Sequence, residues 1–242
     1  MNGGKLELNK IHNMDCLEGI KQLDFSIGKY VIVTDPPYNQ GYHYNQYEDN
    51  MKEDDYFNWL SKITDGLPFV MIHYPESLYK LSVLTQRIPN KVISWVYNSN
   101  TKKQHRDIAF YDIDVDLSKI KQPYKNLNDK RIIERIENGS EGTDLYDWWE
   151  ISQVKNVSEE KTEHPCQIPY KVMDNIIKII PEDYIIIEPF SGSGTTAEVC
   201  KMNGRKFIAF EIDEFYYKIS VDRLNGINAK GQTSIFTDFE SL

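Results

Sequence analysis

Two runs of consecutive apolar residues constrain this chain more than any other feature: Tyr30–Thr34 (YVIVT) and Tyr184–Glu188 (YIIIE). Neither alternates apolar with polar positions, so neither suits a strand with one wet face. Strands covered on both faces read this way, as in a parallel sheet wrapped by helices. Further strand candidates are Phe69–His73, Val92–Tyr97, Ile108–Tyr111 and Phe207–Glu211. Between them, apolar residues at 3–4 spacing predict helices over Asp54–Ile63, Glu76–Gln86, Pro169–Ile180, Thr195–Met202 and Glu214–Leu224. Strands alternating with helices predict a doubly wound, mostly parallel α/β sheet.

The rhythm breaks between Asp112 and Glu163, a polar stretch rich in Lys, Asn and Glu with an aromatic cluster at Tyr146, Trp148 and Trp149. It reads as an insertion, with a helix over Asp129–Glu137. A chain of 242 residues has room for one domain carrying such an insertion. The expected division is 1–111 and 164–242 as two parts of one domain, with 112–163 inserted. No run is apolar enough for a membrane span, and the opening MNGGKLELNK lacks the pattern of a signal peptide, so a cytoplasmic protein is expected. Cys16, Cys166 and Cys200 are too scattered for a disulfide framework or a metal site. The net charge of −9 argues against a nucleic-acid partner. Distribution counters that: Lys119, Lys121, Lys125, Lys130, Arg131 and Arg135 face only Asp129 and Glu134 in their segment. Such a cluster is either a solvated face or a grip on phosphates.

Asp35-Pro36-Pro37-Tyr38 follows the first buried run directly. Paired prolines fix φ and remove two donors, leaving a stiff turn with free carbonyls and one carboxylate. That chemistry suits an aromatic amino group, whose lone pair is delocalised into its ring. Asp35 can accept one of its N–H groups and the Pro36 carbonyl the other, drawing the nitrogen toward tetrahedral geometry, while Tyr38 stacks on the base. The plainer reading is a strand-ending turn.

The second run is followed by Pro189-Phe190-Ser191-Gly192-Ser193-Gly194-Thr195-Thr196, a glycine-rich turn opening a helix. Glycines admit a ligand close to the backbone, and free N–H groups at a helix start favour an anion. The dinucleotide fingerprint is incomplete, because Ala197 stands where its third glycine belongs. Glu211 ends the next strand, where a carboxylate can hold both hydroxyls of a ribose. An adenosine-type cofactor fits; so does a helix whose glycines serve only packing.

Together these segments resemble the amino-group DNA methyltransferases, which modify N6 of adenine or N4 of cytosine. The catalytic tetrapeptide preceding the cofactor loop, with a long variable stretch between, is similar to the β-class order. The resemblance runs from about Ile11 to Leu224 and implies a Rossmann-like fold and S-adenosyl-L-methionine (SAM) as cofactor. It implies catalytic roles for Asp35, Pro36, Pro37 and Tyr38. Cofactor contacts are implied for Asp15, Cys16, Asp35, His164, Glu188, Phe190, Gly192, Gly194, Thr195, Thr196 and Glu211. Asn13–Leu17 resembles the box that meets the cofactor's adenine, and Trp95–Asn100 with Asp107–Tyr111 the strand pair flanking the base pocket. His164–Pro169 resembles a His-Pro-x-Gln-Lys-Pro box. Ile168 replaces its usual Lys, and Glu188 a usual Asp, which removes one role and alters another.

The insertion would be the target recognition region, its six cations gripping phosphates of double-stranded DNA. Tyr42, Tyr44 and Tyr47 would either close over a flipped base or pack as surface aromatics. Trp59 is expected in the core. The expected activity is site-specific methylation of adenine N6 by direct attack, with no covalent enzyme intermediate and no metal, in a bacterial or phage protein. Asp at position 35 favours adenine, since cytosine enzymes of the family more often carry Ser there. N4-cytosine methylation, an RNA or protein substrate, and a non-catalytic SAM- or DNA-binding relative stand as alternatives, with a second copy of the chain as a candidate partner.

Overall fold

The computed structural model describes residues 6–42, 44, 47–156, 158 and 160–227. Residues 1–5, half of the opening read above for a leader, lie outside the described residues. In chain order the main elements are β1 (Lys10–Asn13), α1 (Cys16–Ile20), β2 (Lys29–Thr34), α2 (Glu53–Ile63), β3 (Phe69–His73) and α3 (Pro75–Thr85). There follow β4 (Lys91–Val96), β5 (His105–Tyr111), β6 (Lys121–Gln122), α4 (Lys130–Glu137), β7 (Thr143–Asp144) and β8 (Trp148–Glu150). The chain continues through α5 (Tyr170–Ile179), β9 (Tyr184–Glu188), α6 (Thr195–Met202), β10 (Phe207–Glu211) and α7 (Glu214–Leu224).

Eight strands form one sheet in the order β1-β10-β9-β2-β3-β5-β4-β8. All pairs are parallel except those made by β5, which runs against both β3 and β4. The unbroken apolar runs have the cause inferred from sequence. Val31 and Val33 of β2 pack on one face with α5 and α6, while Tyr30 and Ile32 pack on the other with α2 and α3. With both faces covered, every position from Tyr30 to Val33 is buried and apolar or aromatic. Truncating Ile32, which is fully buried, to Ala should cost about 2–5 kcal/mol.

The segment 112–163 is tied to the sheet more closely than its composition predicts. β8 pairs with β4, placing Trp149 opposite Trp95, and Trp149 is 3% exposed. The Trp95 indole N–H donates to the Ile151 carbonyl at 2.7 Å. The remainder of the segment is a small β6-β7 ladder and α4, a helix with no buried residue, whose N-cap is the Asp129 side chain accepting the Arg131 N–H. Among the described residues no helix is long and apolar enough to cross a membrane.

Candidate active site

β1, β2, β3, β9 and β10 end at the same edge of the sheet, delivering Asn13, Thr34, His73, Glu188 and Glu211 side by side. In an open α/β sheet ligands collect beyond these carboxyl ends, where the strand order reverses; β2 and β9 flank that point here. A cavity of about 680 Å³ opens there, lined by Asp35–Tyr38 from one side and Glu188–Ser193 from the other. The two motifs, far apart in sequence, share one space.

On the β2 side, the Tyr38 hydroxyl donates to Asp35 Oδ1. Burial raises the Asp35 carboxyl above the ordinary aspartate value, opposed by the positive charge of Arg106 and by the Tyr38 hydrogen bond. The Arg106 guanidinium lies 4.7 Å from the Tyr38 ring centroid and 5.3 Å from that of Trp95. β5 brings it there: because this strand is reversed, its first residues stand at the edge where its neighbours finish, with Arg106 opposite Trp95.

His73 stacks on Tyr38 with centroids 4.3 Å apart and joins a hydrogen-bond chain of fixed direction. The Tyr74 N–H donates to His73 Nδ1 at 2.8 Å, so Nδ1 is an acceptor. Burial, helped by the charges of Arg106 and Lys103, depresses the His73 pKa to about 3, so the ring is neutral and its one proton sits on Nε2. That proton points to the Tyr56 hydroxyl, 2.9 Å away, and Tyr56 donates in turn to the Pro37 carbonyl at 2.7 Å. The chain holds the Pro37 carbonyl, and Pro36 beside it lines the cavity. Beyond Tyr38, the Asp49 carboxylate, 2% exposed, accepts the N–H groups of Asn39, Gln40 and Tyr42 at 2.7–3.1 Å and sets the course of that loop.

On the β9 side, Glu188 accepts the Phe190 N–H at 3.1 Å and the Thr196 hydroxyl at 2.6 Å. Burial outweighs both bonds and pushes its pKa up to about 8. Glu211 accepts the N–H groups of Gly192 and Asp213 at 2.7 and 2.9 Å, one on each oxygen, so each keeps a lone pair. Gly192 has φ +51, and a Cβ there would stand 3.0 Å from His164 Nε2. His164 packs edge-on against Tyr216 at 4.6 Å, and burial lowers its pKa to about 4. Asp15 caps α1 by accepting the Glu18 N–H, and burial pushes the Cys16 thiol up to about 12, so it keeps its proton.

Every residue the sequence assigns to the site lines this cavity except Gly194. A Cβ at Gly194 would meet the Ser220 backbone of α7 at 2.9 Å, so this glycine serves helix packing, the plainer of the two sequence readings. Thr195 lines the cavity, but its hydroxyl also accepts from Arg223 at 2.9 Å. The six cations of the insertion lie outside the lining. Lys119 and Arg131 pair with Glu182 and Asp129 at 3.5 and 2.8 Å, Lys121 with Asp144, and Lys125 sits 3.8 Å over the Trp148 ring. Trp59, expected in the core, lines the cavity 5.2 Å from Phe190, alongside Tyr44 and Tyr47. Sequence reasoning missed Arg106, His73, Tyr56 and Asp49. Their one visible signal was a polar residue at the end of an apolar run, as in Phe69–His73.

The model of a family described as DNA methylase matches residues 87–222, more than half of the chain. The chain belongs to the DNA methylase family. The type II methyltransferase M.HpaI of Haemophilus parainfluenzae is 28% identical over 88% of this chain and 70% of its own length. The DNA adenine methyltransferase YhdJ of Escherichia coli is 27% identical over 81% of this chain and 76% of its own. Among solved structures, the cytosine-N4-specific PvuII DNA methyltransferase superposes with a TM-score of 0.67 at 15% identity, covering 94% of this chain and 92% of that one. The SAM complex of M1.HpyAVI gives 0.56 at 19% identity, covering 89% of this chain and 99% of that one.

The fold is that of these SAM-dependent DNA methyltransferases, and SAM is the cofactor. The cavity's polar atoms suit it. Among the described residues, Ser191 Oγ, His164 Nδ1 and Asp213 Oδ2 are buried in the lining with no hydrogen-bond partner.

Proposed function

We propose that this DNA methyltransferase acts on N6 of adenine at a specific site in duplex DNA, with the target nucleotide rotated into the cavity. Asp35 and the Pro36 carbonyl accept the two amino protons and direct the nitrogen lone pair into the cavity. The Tyr38 ring, stacked on His73 and lying under Arg106, borders the base at its edge, and Pro37, held by Tyr56 and His73, keeps the turn in register. Bound SAM supplies an electrophilic methyl group on its sulfonium. Glu211 takes the ribose hydroxyls, while Asp15 and Cys16 meet the adenine, with Phe190 packed beside them. Gly192, Thr195 and Thr196 shape the turn, with His164 and Glu188 behind it. After transfer, the nitrogen's surplus proton leaves along its bond to Asp35, whose raised pKa makes it a better acceptor than a surface carboxylate. Positioning and preorganised acceptors supply the rate.

The observation that carries this reading is the shared cavity: an acceptor-bearing turn and a glycine bend on adjacent strand tips. Asp at position 35, together with the similarity to the DNA adenine methyltransferase YhdJ, favours adenine over cytosine. Residues 112–163 then serve as the target recognition region, with Lys119, Lys121, Lys125, Lys130, Arg131 and Arg135 meeting phosphates. The test is incubation of the purified chain with SAM and unmethylated genomic DNA, followed by nucleoside analysis. N6-methyladenine confined to one sequence motif is expected. N4-methylcytosine would move the reading to the other base, and unmodified DNA would overturn it.

A further inference from the structure

The β4–β5 hairpin, with the start of β5, carries three cations that have no ion-pair partner among the described residues. Arg106 is enclosed by the rings of Tyr38, Tyr74, Trp95 and Tyr97, with its guanidinium carbon 4.7–5.8 Å from their centroids. Aromatic faces stabilise a cation but do not accept the N–H bonds in its plane. Among the described residues its Nε is buried without a partner and no carboxylate stands at ion-pair distance, although the Tyr97 hydroxyl bonds its side chain and the Asp35 charge acts on it from farther off. An unmet buried donor is destabilising, the more so on a charged group, so an acceptor supplied from outside would complete it. Arg106 lines the catalytic cavity, where such an acceptor would arrive.

Two more cations stand at the turn. Lys103 Nζ lies 3.6 Å from the Tyr74 ring centroid, and Tyr74 meets Tyr38 edge-on at 5.2 Å. Lys102 is exposed beside it, and neither lysine has an acidic partner among the described residues. The turn is stiff: the Gln104 side chain accepts the Ser99 N–H and donates to the Ser99 carbonyl, both at 2.9 Å. Thr101, at its tip, lines the cavity. In a chain of net charge −9, three cations without an ion-pair partner among the described residues stand together on one hairpin beside the cavity. Lys119, Lys121 and Arg131 of the insertion, by contrast, already hold carboxylates.

We propose that the β4–β5 hairpin grips the target strand, with Lys102 and Lys103 on the phosphates flanking the extruded nucleotide and Arg106 donating to that nucleotide itself. The assignment rests on the reading of duplex DNA as substrate. Phosphate contacts set the register of a protein on its duplex, so this hairpin would fix which nucleotide faces Asp35.

The test is binding of a fluorescent duplex containing the methylated motif to the full chain, by anisotropy, between about 50 and 200 mM salt. Each phosphate contact contributes about 0.9 to the slope of log affinity against log salt, so K102A/K103A should lower the slope by about 1.8. Affinity at low salt should fall about tenfold or more, with SAM binding unchanged. The charge-keeping pair K102R/K103R should restore both affinity and slope. A wild-type slope in K102A/K103A, an equal loss in the arginine pair, or a parallel loss of SAM binding would overturn the assignment. A wild-type chain that fails to bind duplex would sink the DNA reading and the hairpin assignment together. Normal wild-type binding with an unaltered K102A/K103A slope would sink the hairpin alone.

Discussion

The tips of β2 and β9 begin alike, with a buried apolar strand, an acidic residue and a proline: Thr34-Asp35-Pro36 in one, Ile187-Glu188-Pro189 in the other. The two acids are used differently. Glu188 is enclosed by its own turn, bonded to the Phe190 N–H and the Thr196 hydroxyl, and fastens the start of α6 to the strand. Asp35 bonds to the hydroxyl of Tyr38 and, among the described residues, to no backbone donor, and it lines the cavity under the field of Arg106. Local sequence is nearly the same at the two tips. What separates the acid proposed to react from the structural one is which groups other strands bring alongside.

Asp35→Asn tests this division most severely, because it keeps shape and removes the charged acceptor. Methyl transfer should fall by about a thousandfold, while SAM binding by calorimetry stays measurable. Near wild-type turnover would remove Asp35 from the chemistry and erase the contrast with Glu188.

Glu188→Gln should act on stability. The ordinary glutamate value is 4.5 and the folded value about 8. Between these limits the unfolded chain has released a proton that the folded chain keeps, so the unfolded state binds fewer protons and stability falls as pH rises through that window. The penalty is on the order of a few kcal/mol after relaxation. Thermal melts of the variant from pH 5 to 8 should show a flatter decline than wild type. An identical slope would mean that Glu188 is ionised throughout.

Gly192→Ala probes the β9 side next. A side chain at φ +51, pressed toward His164, should cost about 1–3 kcal/mol and weaken SAM binding correspondingly. Gly194→Ala should disturb melting more than SAM affinity, since its neighbour is the backbone of α7. The smallest effect belongs to Tyr56→Phe, which cuts the chain from His73 to Pro37. Two neutral hydrogen bonds are lost, to His73 and to Pro37; the one on the Pro37 turn is worth about 1 kcal/mol, read as a roughly fivefold lower turnover with SAM affinity retained.

Much of this was legible in the primary structure because the informative residues are contiguous. The strands β2, β3, β9 and β10 announce themselves by continuous apolar runs, and each motif sits immediately after one. Arg106 was illegible for the opposite reason. His105, Arg106 and Asp107 are polar, so the strand read from sequence begins at Ile108, whereas the ladder extends back to His105 opposite Val96. Polar residues at a strand end look like loop unless the groups receiving them are known, and those come from Tyr38, Tyr74 and Trp95 on other strands and turns. Trp59 was read in part: it packs on the core as its helical spacing implies, but spacing does not show that it also borders a cavity. β8 is three residues within a polar stretch, too short to yield a period, and only its partner β4 makes it a strand.

The phenol already resting on Asp35 bears on substrate choice. An incoming exocyclic amine does not meet a bare anion that must first shed water; it trades places with a hydroxyl, so docking becomes a swap between donors. A base that offers only a carbonyl at that position, such as thymine, brings nothing to trade. It would set oxygen against oxygen and leave the phenol in place. Discrimination of amino from keto bases would therefore begin at the moment of entry, ahead of any chemistry.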